Sequence, residues 1–109
     1  MFNPFKKKDR DELVIKALKD NGSDITKPHE IDFNFDFATF EEAAPVAQAI
    51  DKEGFAVRMF ENNDGTYTIE AKKTLVPTVK AMQDITKNFN ELTNKCGGIY
   101  DGWGAEIVE

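Results

Sequence analysis

One cysteine, one histidine and one tryptophan occur among 109 residues, and each scarcity closes off a class of chemistry. A lone Cys96 cannot form an internal disulfide or a Cys-x-x-Cys metal site. It falls on an apolar helical stripe, as a small hydrophobe does. A lone His29, next to Pro28 in a connector, leaves no histidine pair for a metal. No local signature supplies the nucleophile, base and orienting group of a triad. His29 is expected to be a surface or capping residue. No apolar run approaches the roughly 20 residues of a membrane helix. The start, Met1-Phe2-Asn3-Pro4-Phe5 and then Lys6-Lys7-Lys8, has no apolar signal-peptide core. These absences set the expectation of a cytoplasmic protein with no cofactor, no metal, no membrane span and no enzymatic activity.

Acids outnumber bases, giving a net charge of −6. Three of the lysines lie in residues 1–8, read as a basic N-terminal arm. Residues 9–109, read as one domain, keep 11 basic against 20 acidic residues, a balance of −9. An acidic body repels phosphate backbones, so the expected partner is a basic protein segment and not a nucleic acid.

Hydrophobic patterning divides the chain into seven elements. Residues 9–21 read as a helix with Leu13, Val14, Ala17 and Leu18 inward. Residues 30–37 read as a strand, with Ile31, Phe33, Phe35 and Phe37 alternating with Asp32, Asn34 and Asp36. Thr39-Phe40-Glu41-Glu42 reads as a capping box. It opens a helix to residue 53 whose inner stripe is Phe40, Ala43, Ala47 and Ile50, with Pro45 tolerated. Residues 55–60 and 66–72 read as a hairpin around Asp64-Gly65, and residues 77–96 as a long helix. Residues 99–108 read as a last strand, with Gly102 and Gly104 marking a bulge or bend. The order, a leading helix and then β-α-β-β-α-β, predicts an α+β, ferredoxin-like domain. It has a four-stranded antiparallel sheet with two helices on one face and an extra N-terminal helix.

Such a sheet leaves one face open. Asp32, Asp36, Glu70 and Glu106 are expected there, with Arg58 and Lys72 partly offsetting them. A field of carboxylates accepts arginine side chains and repels RNA. The cluster Gly97-Gly98-Ile99-Tyr100-Asp101-Gly102-Trp103-Gly104 precedes a strand and not a helix, which excludes a phosphate loop. Tyr100, Asp101 and Trp103 are the other candidate contact residues, and whether Trp103 is core or contact stays open. Exposed sheet edges are compatible with a monomer or weak dimer.

The string Tyr100-Asp101-Gly102-Trp103 after a long helix resembles the regulators of ribonuclease E activity, type B. Asn21-Gly22-Ser23-Asp24 after the first helix and Gly54-Phe55-Ala56-Val57 extend the likeness to residues 10–108. The resemblance implies a ferredoxin-like, non-catalytic protein that binds and inhibits ribonuclease E, including its basic non-catalytic region. Some members carry a long acidic C-terminal extension where this chain ends at Glu109, and inhibition is expected to be weaker if that extension contributes. Two other functions fit size and charge. One is an acidic immunity or antitoxin-like protein that neutralises a basic nuclease. The other is a small-ligand domain with Tyr100 and Asp101 edging an apolar pocket.

Overall fold

A computed structural model describes residues 9–109; the basic arm expected over residues 1–8 lies outside them. The elements are α1 (Arg10–Asp20), β1 (His29–Phe37), α2 (Phe40–Lys52), β2 (Ala56–Glu61), β3 (Tyr67–Leu75), α3 (Val79–Cys96) and β4 (Ile99–Ala105). The strands form one sheet of order β2-β3-β1-β4, and every neighbouring pair is antiparallel. That is the α+β arrangement expected. Among the described residues no helix is long and apolar enough to cross a membrane.

The alternation along β1 is realised in full. Ile31, Phe33, Phe35 and Phe37 are buried, and the residues between them are half-buried or exposed. The helices cover the buried face. Phe89 of α3 is its hub, with ring centroids 5.0–5.5 Å from Phe33, Phe35, Phe55 and Tyr100. Three of these pairs are edge-to-face, the geometry in which a ring's positive edge meets a negative face, and the Phe55 pair is tilted.

Several local signals hold in detail. The Thr39 hydroxyl accepts from the Glu42 amide at 3.2 Å. The Glu42 carboxylate reaches back one residue beyond the cap, to the Ala38 amide. Pro45 sits inside α2 without ending it. In the hairpin the Asn62 amide bonds the Thr66 carbonyl at 2.8 Å. The Asp64 carboxylate accepts from both the amide and the hydroxyl of Thr66, which holds its pKa below the usual carboxylate range.

Four expectations are corrected. First, α1 turns Asp11, Ile15 and Leu18 inward, leaving Leu13 exposed. The helix is rotated because Asp11 is bonded from the core side. Second, Phe40 is 47% exposed and only flanks Tyr67. Val46 takes the core position beside Ala43 and Ile50. Third, β3 continues to Leu75 because its tail pairs with the start of β1, whereas β4 ends at Ala105. Fourth, His29 is buried, not a surface residue. Its Nδ1 donates to the Lys27 carbonyl at 2.8 Å, so in the neutral ring Nε2 accepts from the Ser23 hydroxyl, 2.6 Å away. Ser23 in turn accepts from the Val108 amide at 2.9 Å. The Ser23-Asp24 pair therefore clamps the C-terminal segment, with the Asp24 amide bonding the Val108 carbonyl as well.

Candidate functional site

Strand β4 occupies an edge of the sheet and serves both faces through an irregularity. It pairs Tyr100 with Phe35 and Trp103 with Phe33, and the register shifts between them. Asp101 is the extra residue of the bulge. Two side chains three apart thereby point to one face, where plain alternation would put them on opposite faces. Gly102 adopts φ +103° within this bulge, a left-handed conformation that other residues rarely accept. The Arg10 guanidinium also lies over it: an added Cβ would come within 3.3 Å of Arg10 Nη2. At Gly98 a Cβ would overlap the Phe37 ring. Gly102 and Gly98 thus answer to close packing by a guanidinium and a phenyl ring.

Six of the seven candidate residues fall into two groups. Tyr100 and Trp103 lie in the core. The Trp103 indole N–H donates to Asp11 Oδ1 at 2.8 Å, and the Thr86 hydroxyl donates to the same oxygen at 2.7 Å. Asp11 is 5% exposed. Two donors from two different elements compensate its desolvation and fix α1 against α3 and β4. Spacing held a trace of this, since Asp11, Ile15 and Leu18 keep an i, i+4, i+7 rhythm. A charged residue on that stripe reads as exposed until its partners are known.

Beside Asp11 is a cavity of about 120 Å³, between α1, α3 and β4, walled by Arg10, Asp11, Val14, Thr86, Tyr100 and Trp103. Tyr100 is 8% exposed, and its hydroxyl has no hydrogen-bond partner among the described residues. Burial pushes the Tyr100 pKa well above 10, and the Asp11 charge adds to the rise. The nearby Thr86 hydroxyl opposes that shift, although its proton goes to Asp11.

Asp32, Asp36, Glu70 and Glu106 form the second group, on the open side of the sheet. Asp32 and Asp36 belong to the outward register of β1, and Glu70 stands opposite Asn34. Glu106, just past β4, lines a cleft of about 230 Å³ with Glu30, Asp32, Lys72, Ile107 and Val108. Glu30 is an acid the candidate set lacks, though the parity of β1 places it beside Asp32. The cations here are loosely engaged. Lys72 Nζ lies 3.5 Å from Asp32 and 3.9 Å from Glu30, and Arg58 lies 3.7 Å from Glu70. Asp36 accepts a hydrogen bond from Thr68 at 3.0 Å. Exposed pairs at such distances contribute about 0–1 kcal/mol. They leave most carboxylate lone pairs free for another donor. Asp101 is exposed at the bulge, apart from both groups. No set of three or more His, Cys, Asp or Glu side chains suited to a metal occurs among the described residues.

The family described as Regulator of ribonuclease activity B matches residues 8–105. A protein of that name from Pseudoalteromonas atlantica is 31% identical over 101 residues, covering 88% of this chain and 86% of the relative. Another of the same name, from Colwellia psychrerythraea, is 26% identical over 103 residues, covering 90% and 89%. With the family matched over nearly the whole length and a relative 31% identical across most of both chains, the chain belongs to the Regulator of ribonuclease activity B family.

Proposed function

We propose that this protein is a non-catalytic cytoplasmic regulator that binds a ribonuclease E-like endonuclease and inhibits it through protein–protein contacts. Residues 9–109 act as one domain, as a monomer or weak dimer, without touching RNA. The observation that carries this reading is the open sheet face. Asp32, Asp36, Glu70 and the Glu30–Asp32–Glu106 cleft present carboxylates, and the cations beside Glu30, Asp32 and Glu70 sit 3.5–3.9 Å away. Arginine offers a planar fork that bonds a carboxylate in two places, so an arginine-rich segment displaces the lysine contacts. Long-range attraction raises the association rate as well. The same field repels an RNA backbone, which favours a contact with the nuclease and not with its substrate.

In this reading Tyr100 and Trp103 act at one remove, by holding β4 and hence Glu106 beside β1. Asp101 projects from the bulge as a separate contact point. The test is inhibition of the host ribonuclease E on a short RNA, together with binding to its basic non-catalytic segment across a salt series. Inhibition and binding that both weaken with salt, and again with Asp32→Asn/Glu106→Gln, are expected. Inhibition that survives the double change at unaltered strength refutes the acidic-face mechanism.

A further inference from the structure

The cavity between α1, α3 and β4 lies on the helix-covered side of the sheet and has no part in the acidic-face reading. Its walls combine features that a structural void lacks. The Tyr100 hydroxyl, on a side chain more than nine-tenths buried, has no partner among the described residues. A buried hydroxyl left unbonded is costly, and such groups in folded proteins call for a partner. Both hydrogen bonds that Asp11 accepts here fall on Oδ1. The Arg10 guanidinium and the Asn90 amide stand at the rim. Val14 and the rings of Tyr100 and Trp103 supply apolar surface.

The charges decide the chemistry of the occupant. One guanidinium and one carboxylate balance, so an anion meets Asp11 and a cation meets Arg10. Either ion loses hydration for one favourable and one unfavourable neighbour. A neutral group with an acceptor and a donor side by side meets neither penalty. Its oxygen takes the Tyr100 and Arg10 protons, and its N–H groups face the Asp11 carboxylate. A volume of about 120 Å³ admits an occupant smaller than a drug-sized ligand. We propose that this cavity is a binding site for a carboxamide group on a short apolar stem, supplied by a free small molecule or by an Asn or Gln side chain of a partner.

The test uses isobutyramide as probe, with isobutyrate and isobutylamine as charged isosteres and a doubly blocked glutamine as the side-chain mimic. The readout is the chemical shift of the Trp103 indole N–H and the fluorescence of this single tryptophan. The expected result is a saturable shift with isobutyramide and binding about tenfold weaker for both isosteres. Tyr100→Phe weakens amide binding about tenfold, while its Tm stays unchanged or rises because no internal hydrogen bond is lost. Tighter binding of blocked glutamine than of isobutyramide assigns the site to a partner side chain, and the reverse assigns it to a free amide. No saturable shift up to the solubility limit, equal or tighter binding of an isostere, or a lowered Tm in Tyr100→Phe overturns the proposal. Asp32→Asn, on the opposite face, leaves amide binding unaltered, so the two readings fail separately.

Discussion

The two faces of β1 come from one nine-residue strand and carry opposite chemistry. The inward residues are four large apolar side chains behind His29, all buried; the outward ones are Glu30, Asp32, Asn34 and Asp36. Neighbouring strands repeat the division, with Ile69 and Ala71 inward and Glu70 and Lys72 outward on β3. Inward residues are constrained by close packing, so changing one disturbs many contacts. Outward residues are constrained only by charge and reach, so that face is free to specialise for a partner. Strand β4 shows the limit of the rule. Only the bulge at Asp101 lets Tyr100 and Trp103 both join the core while Glu106 stays beside Asp32.

Substitutions that treat the faces as equivalent should break this comparison. The largest effect is expected at Phe89, which touches four aromatic rings of the core. Phe89→Ala should cost about 3–5 kcal/mol by urea denaturation. A smaller value means that the core refills the void and the rings are less interdependent than their geometry implies. Next comes Asp11→Ala, which strands the Trp103 and Thr86 donors and should cost about 2–3 kcal/mol. Asp11→Asn keeps an oxygen for both donors and should cost less than about 1 kcal/mol. Equal losses in the two variants point to the charge itself, not to the hydrogen bonds.

A pH titration sharpens the comparison further. Burial raises the Tyr100 pKa above 10 in the folded protein. Above about pH 10 the unfolded chain releases this proton while the folded one keeps it, so the unfolded state gains and stability falls. Wild type should therefore lose Tm relative to Tyr100→Phe as pH rises from 9 to 11, with the two parallel below pH 9. Parallel curves throughout mean that the hydroxyl is hydrated. The smallest stability effect belongs to the open face: Asp32→Asn and Asp36→Asn should stay within about 0.5 kcal/mol of wild type.

How legible all this was in the sequence depends on how local each cause is. The β1 alternation, the Thr39 cap and the Asp64-Gly65 turn are decided by neighbours a few residues away, and the fold followed from them. The orientation of α1 was not legible. Leu13 and Ala17 compete with Ile15 for the inner stripe, and the choice rests on Trp103 and Thr86, 92 and 75 residues distant from Asp11. His29 read as a surface or capping residue because its partner Ser23 is found only when the loop closes. Parity placed the open-face acids, including Glu106 across the bulge. A pocket edged by Tyr100 was one expectation, but its other walls, Arg10, Asp11, Val14 and Thr86, were not legible, and Asp101 is not among them, since the cavity arises where three separated elements meet.

In the function proposed, the open acidic face holds the partner while the opposite face holds the fold together. The most direct measurement is binding to the basic segment of the host ribonuclease E, at low and high salt, by wild type and by Asp32→Asn/Asp36→Asn, with Tm recorded on the same samples. Salt-sensitive binding that weakens about tenfold or more in the double variant at an unchanged Tm is expected. Undiminished binding by a variant that keeps its Tm, or no binding by wild type at low salt, contradicts it.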